Sequence, residues 1–452
     1  MQQKTEKIPI KEKIAYLLAN TGNIPLMSLT SSFLLIFYTN VVGLNPAAVA
    51  TLFLISRIMD GINDPIMGFI IDHLPRSKMG RFRPVLIIGS IICCINYVLL
   101  WFAPVWAPAG KLTIAYISYL LLGITFDLMD IPLNSILPVM TDDTKERNTL
   151  STLKGLGYII GTLLITFLAP IILSDASNLA GYYMLISGSV AVVLIFSIIG
   201  ALGVKERIPP VSEKQYTIME ELKILIEKPV FITFLSMMLY SIGQNITTAS
   251  YSYFFTYIFG DLKIFSLVTL VTGVGIIPGI LIAGPVINKI GKKSMYIFGT
   301  LIPVPFLLAR YLNVHNLPLL LIAAVISGMS TGILIPMRYG MQADNTDYVI
   351  LKRKQNAEAA IASLSSFITK CAQGIGGAVP GYLLALTGFN KDATVQSAGV
   401  NNAILACSIA IPAAVSTLAA IIFAVYYPIT REKLAEQTEK LRALRASGET
   451  VE

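Results

Sequence analysis

Long apolar runs, one after another with only short hydrophilic breaks, leave this chain few folds to choose from. Twelve can be drawn, at about 14–42, 46–73, 83–103, 111–140, 150–173, 181–203, 229–259, 263–288, 294–313, 317–342, 359–388 and 402–427. A helix needs about 20 apolar residues to cross a bilayer core. It satisfies its own backbone polar groups there, which an open sheet cannot do. The sequence therefore predicts an all-α membrane protein of twelve transmembrane helices. Composition agrees, with 55% of the 452 residues hydrophobic and 13% charged, against about 25% charged in soluble domains. That excludes a soluble enzyme. The net charge of +8 comes from basic residues in short loops between apolar runs, a topology signal and not a nucleic-acid footprint. The first residues are polar and basic and the first run is long enough to span, so no cleavable signal peptide is expected. Cys93, Cys94, Cys371 and Cys407 lie inside apolar runs. They read as packing residues, with no disulfide framework and no metal spacing.

The longest hydrophilic connection, Val204–Lys228, has mixed charge and contains Pro209-Pro210. It reads as a linker between two six-helix halves. The expected organisation is residues 1–203 as an N-terminal half, 204–228 as a cytoplasmic linker, 229–427 as a C-terminal half and 428–452 as a cytoplasmic tail. Of the 34 lysines and arginines, 26 fall in the termini and even-numbered loops and three (Lys111, Lys263, Lys391) in the odd-numbered ones. The bias predicts that both termini are cytoplasmic. The second span of each half ends in a glycine-containing basic turn, Lys78–Pro84 in one and Lys289–Lys293 in the other. Such an echo predicts a duplicated bundle with its substrate site between the halves at mid-membrane, although basic turns are also plain topology signals.

Five basic residues remain within or at the ends of spans: Arg57, Lys154, Arg310, Arg338 and Lys370. Arg57 belongs to the run Arg57-Ile58-Met59-Asp60-Gly61-Ile62-Asn63-Asp64-Pro65. On a helix Asp60, Asn63 and Asp64 share a face, with Arg57 one turn earlier. A charge at mid-bilayer costs about 2.5–3.5 kcal/mol on insertion scales. Such a cluster therefore faces a cation or a wet cavity, or else Arg57 and an aspartate form an ion pair that locks packing. In span four Asp127, Asp130 and Asn134 likewise share a face. Lys154 either snorkels to headgroups or lines a cavity. Lys370, a third of the way along its span, either pairs with an acid for structure or balances the acids of spans two and four. Arg310 and Arg338 read as anchors near span ends, and Trp101 and Trp106 as interface anchors. Tyr251, Tyr253 and Tyr257 read as a mixture of core and pocket lining.

The runs Phe37–Leu44, Arg57–Pro65, Lys78–Pro84, Met129–Pro132, Asp344–Tyr348 and Phe367–Pro380 together resemble melibiose permease and its relatives. Those are glycoside–pentoside–hexuronide:cation symporters of the major facilitator superfamily, and the C-terminal half is similar to their glucuronide carriers. The resemblance covers nearly the whole chain. It implies that Asp60, Asn63 and Asp64 hold a coupling cation, that Asp130 bonds sugar hydroxyls, and that Lys154 and Lys370, with Gln373, lie near the same cavity. Departures stand beside these matches. The sugar-binding acid of span one is replaced by Ile24, with Asn20 and Asn23 nearby. The stacking tryptophan of span four is Asn134, and a threonine near the cation site is Asp127.

Expected cation ligands are therefore Asp60, Asn63, Asp64 and Asp127. Expected substrate contacts are Asn20, Asn23, Asp127, Asp130, Asn134, Lys154, Lys370 and Gln373. Arg57 and Lys370 are expected to balance charge. The expected function is symport of a glycoside, pentoside or hexuronide with sodium or protons, by a plasma-membrane protein acting as a monomer. No cofactor is expected, no metal beyond a possible sodium ion, and no nucleic-acid partner. The two acids of span two and the two of span four are expected to form one coupled cluster. Alternatives are a carrier of a lipid or other non-sugar solute on the same fold, and a sugar-binding membrane sensor. An enzyme is disfavoured, for want of a metal-ligand set, a nucleophile elbow or a cofactor loop.

Overall fold

The structure, a computed structural model, describes residues 7–141, 143–208, 223–353, 357–393 and 395–446. Most of the expected linker and the last six residues of the tail lie outside it. Among the described residues there are helices and no strand; one isolated bridge closes the Ser77–Gly80 turn. In chain order they are α1 (Ile10–Gly22), α2 (Ile24–Ile36), α3 (Pro46–His73), α4 (Phe82–Trp106), α5 (Lys111–Met140), α6 (Thr144–Leu173) and α7 (Leu179–Gly203). Then follow α8 (Lys228–Tyr253), α9 (Lys263–Leu301), α10 (Val304–Leu312), α11 (Leu317–Arg353), α12 (Glu358–Leu386), α13 (Ala398–Leu405), α14 (Ile411–Tyr426) and α15 (Arg431–Ala446). Among the described residues ten segments are long and apolar enough to cross a membrane. The two expected spans outside that ten are α3 and α12, of 28 and 29 residues. They carry candidate polar residues, Arg57, Asp60, Asn63 and Asp64 on α3 and Lys370 and Gln373 on α12. The count of twelve spans is consistent with this arrangement.

Local chemistry explains where helices start, stop and bend. Asn45 caps α3, its side chain accepting from Ala47 N–H at 2.8 Å, and Pro46 sits in the first turn, where its missing N–H costs nothing. The helix stops at Leu74, extended as a residue before proline must be. Span one divides at Asn23, two residues before Pro25, which removes a helical donor. Each basic turn pivots on a glycine at positive φ, Gly80 at 106° and Gly291 at 82°, a region that side chains disfavour. Gly291 is the kink that separates spans eight and nine within α9. At Gly80 a side chain would overlap the Glu206 carboxylate. That carboxylate accepts the N–H groups of Arg81, Phe82 and Arg83 at 2.8, 2.8 and 3.1 Å, an anionic cap on the start of α4.

The chain divides into two compact units. The first comprises Met1–Ser212 together with Gly260–Ser266 and Leu384–Gln396; the second comprises Glu213–Phe259, Leu267–Leu383 and Ser397–Glu452. Two short segments that the sequence places in the C-terminal half thus belong to the first unit. Ser266 Oγ donates to Phe167 O at 2.6 Å, and the Phe265 ring lies 5.7 Å from that of Phe33. The first unit's core holds Phe37, Trp101 and Tyr182, with Phe37 and Trp101 each packed on Tyr182 at 4.6 and 5.7 Å. Trp101 is fully buried, so it is a core residue and not the interface anchor expected; Trp106 is 56% exposed. In the second unit α9 and α11 meet through Gly275, Gly279, Gly328 and Gly332. A Cβ on any of the four would strike backbone of the facing helix. Two Gly-x-x-x-Gly pairs interlock there, the small-residue contact that membrane helices use in place of a hydrophobic drive.

Candidate functional site

The candidate residues of the first unit come from α1, α3, α5 and α6. On α3 the 3.6-residue period puts Arg57 against Asp60, and Nη1 donates to Oδ2 at 2.7 Å. Asp60 is 7% exposed. Tyr119 of α5 stands beside Arg57. One turn further on, Asn63 Nδ2 donates to Asp127 Oδ2 at 2.7 Å, and Asp127 is buried. Asp64 is half-buried on the same helix.

A second polar chain runs through Asp130. Asn23, freed at the break in span one, donates to Asp130 Oδ1 at 2.5 Å. Asn134, one turn along α5, donates to Oδ2 at 2.8 Å. Lys154 of α6 reaches Asn134 Oδ1 at 2.6 Å, so its ammonium turns to the bundle instead of snorkelling outward. The chain grades from the buried Asn23 to the exposed Asn134. A carboxylate has about four lone-pair sites, and Asp130 spends two on amides. A polyol hydroxyl can donate to such an oxygen and accept from an ammonium one residue away.

The structure thus joins Asn23, Asp130, Asn134 and Lys154 in one network, Asn63 with Asp127, and Arg57 with Asp60. Asn20 stays out of the network: it is buried, and its Nδ2 donates to Tyr16 O of its own helix at 2.8 Å. Among the described residues no three His, Cys, Asp or Glu side chains converge as a metal-binding group. Asp60 is held by a guanidinium, and Asp127 and Asp130 by amides.

In the second unit Lys370 and Gln373 are half-buried on α12. Beside Lys370, Thr369 accepts from Arg338 of α11, and Gln342 donates to Ser365. Arg338 thus joins a polar seam between α11 and α12. Arg310 is likewise no surface anchor. It is 1% exposed, with its guanidinium 4.4 Å from the Phe254 ring centre and Nη1 donating to Tyr251 OH at 3.1 Å. Aromatic faces offset a desolvated cation by about 2 kcal/mol. Sequence reasoning missed Tyr119, Thr369 and the roles of Arg310 and Arg338. Each depends on a contact between distant helices. The only signal was the presence of charge in an apolar run.

Fold and site define a class before any comparison is made: a multi-pass helical membrane protein with buried polar chains in its spans. Residues 15–431 match the family described as MFS/sugar transport protein, and the chain belongs to that family. It is a transporter and not an enzyme. The chain is 29% identical over 445 residues to the uncharacterized symporter YjmB of Bacillus subtilis (strain 168), covering 97% of this chain and 96% of that protein. It is 30% identical over 408 residues to the isoprimeverose transporter of Lactiplantibacillus pentosus, covering 88% and 84%. Among solved structures a D-xylose-proton symporter aligns with a TM-score of 0.62 at 17% identity, covering 93% of this chain and 98% of that one, a likeness in fold alone.

Proposed function

We propose that this protein is a plasma-membrane symporter that imports a glycoside, pentoside or hexuronide by alternating access, driven by an inward gradient of sodium or protons. The observation that carries the reading is the chain Asn23–Asp130–Asn134–Lys154. It places a carboxylate, two amides and an ammonium where a sugar's hydroxyls could exchange with them. The isoprimeverose transporter and the symporter among its relatives support a sugar cargo and a coupled ion. In this reading Asp60, Asn63, Asp64 and Asp127 supply oxygens to the cation, since sodium is a hard ion that prefers oxygen donors. In the same reading Lys370 and Gln373 bind substrate, and both termini face the cytoplasm.

Coupling follows from linkage. A cation shifts a conformational equilibrium only by its differential affinity for the two states. An ion that displaces Arg57 from Asp60, or Asn63 from Asp127, has that differential affinity. The test is accumulation in membrane vesicles of a panel of a neutral glycoside, a pentoside and a hexuronide, under imposed sodium or proton gradients. Gradient-driven accumulation of one sugar is expected. Sugar binding without accumulation would mark a sensor, and indifference to all three sugars would point to another solute.

A further inference from the structure

We infer that Gly123 is a positioning residue for the coupling cation, its bare Cα forming the seat of the Asp60 carboxylate. The inference rests on the reading of Asp60 as a cation ligand. Helices α3 and α5 meet along a ladder with one rung per turn. Arg57 stands against Tyr119, Asp60 against Gly123, and Asn63 against Asp127. Residues 119, 123 and 127 share one face of α5 at i and i+4 spacing. At the two outer rungs a side chain of α5 meets a side chain of α3. At the middle rung α5 offers none. A Cβ built on Gly123 would overlap Asp60 Oδ1 and lie 3.5 Å from Asp60 Cγ, and among the described residues outside its own helical turn nothing else stands within 4 Å of it.

The two oxygens of Asp60 are thus placed by different partners. Oδ2 is held by Arg57 at 2.7 Å, and Oδ1 rests on the space that Gly123 leaves. Filling that space moves the end of one short side chain and touches no backbone. A methyl at residue 123 therefore turns the carboxylate while leaving the helices where they are. Alanine is also the better helix former, so a functional loss at this position does not come from a weakened helix. Ion sites tolerate little displacement of a ligand, of order 0.5 Å.

The experiment is thermal unfolding of the purified full-length protein, titrated with sodium chloride against choline chloride at fixed pH, and with pH in the absence of sodium. Wild type, Gly123→Ala, Asp60→Asn and the double variant are compared. Gly123→Ala is expected to raise the cation concentration for half-maximal stabilisation roughly ten-fold or more, and to melt no lower than wild type without cation. In the Asp60→Asn background the same change is expected to add nothing, because both act through one carboxylate. A wild-type cation response in Gly123→Ala, with that response lost in Asp60→Asn, overturns the seat and leaves the cation reading standing. A full response in Asp60→Asn, or a wild type indifferent to both cations, overturns the cation reading and the seat with it. Should Gly123→Ala fail to fold, Asp60→Ala/Gly123→Ala decides. Recovery of folding in that double variant confirms that the methyl meets the carboxylate, and continued failure shows that Gly123 packs against something else.

Discussion

At the residue scale span four carries two carboxylates one turn apart, each held by asparagine. Asp127 accepts from Asn63 at 2.7 Å, and Asp130 accepts from two asparagines. Charged groups near one another in a low dielectric titrate together, so an added carboxylate can strengthen a sodium site or hold a proton itself. The Asn63 oxygen is a donor that sodium uses and a proton does not need, and we expect a sodium site that protons can also occupy. Asp127→Thr is then expected to sharpen the sodium dependence of sugar uptake and weaken proton-driven uptake, measured against sodium concentration at two pH values. Uptake indifferent to sodium at every pH in wild type would leave protons as the coupling ion. Lys370, half-buried on α12, is proposed to balance charge within the spans. Lys370→Ala removes that charge, and under this proposal uptake should fall at least about ten-fold; a loss of roughly 2 kcal/mol in binding would suffice. Lys370→Arg should recover part of it, because guanidinium and ammonium geometries differ. Wild-type uptake in Lys370→Ala would reduce the residue to packing.

At the scale of elements, what sequence could show and what it could not divide along a physical line. Span length is a sum over about 20 residues, so the twelve spans were legible without knowing what they touch. The site faces of spans two and four were legible for a similar reason, because helical period fixes which residues share a side. The partner of each residue was not. Asn23 and Asp130 are 107 residues apart, and nothing local in either helix specifies the other. Trp101 and Arg310 failed in the same way. Belt and anchor rules describe where such residues sit on average, whereas Tyr182 and Phe37 bury the one and Phe254 covers the other. The π-helical turns at Phe37–Val41, Phe254–Phe259 and Ala406–Ala410 change register without changing hydropathy. The α9–α11 glycine contact yields a prediction at this scale. Gly328→Leu must push apart backbones that now approach within a Cβ's reach, at a cost of about 1–3 kcal/mol or more. A lower melting temperature of the purified protein is expected. Substituting the exposed Ile322 of the same helix by leucine should leave it unchanged.

Over the whole molecule, acidic side chains tie down the connections that carry most of the basic residues. Glu12 pairs with Arg207 at 2.7 Å, Glu146 with Lys13 at 2.8 Å, Asp344 with Lys292 at 2.6 Å, and Glu206 caps α4. Glu227, just before α8, is held by two basic side chains at once. One carboxylate oxygen takes Lys352 at 2.6 Å and the other takes Arg353 twice, at 2.7 and 3.0 Å. It joins the end of the connecting segment to the end of α11, and Arg353 also reaches Lys223 O at 2.8 Å. Burial pushes the Glu227 carboxyl upward, but the hydrogen bonds and charges of Lys352 and Arg353 outweigh burial and hold it below its usual value of 4.5. A carboxylate lowered on folding stabilises the folded state above its unfolded value, and the contribution disappears as pH falls through the folded one. The strap is therefore complete at neutral pH, and its contribution to stability declines as pH falls below 4.5 toward the lowered folded value. Glu227→Gln removes the charge and is expected to cost about 2 kcal/mol at pH 7, in the range of charge-assisted hydrogen bonds. The difference in melting temperature between wild type and Glu227→Gln, followed from pH 7 down to pH 3.5, should hold steady and then shrink below pH 4.5 as the wild-type carboxyl takes up its proton. A difference that stays constant across that whole range would mean that the charge of Glu227 does not hold the strap, and that its shape alone packs there.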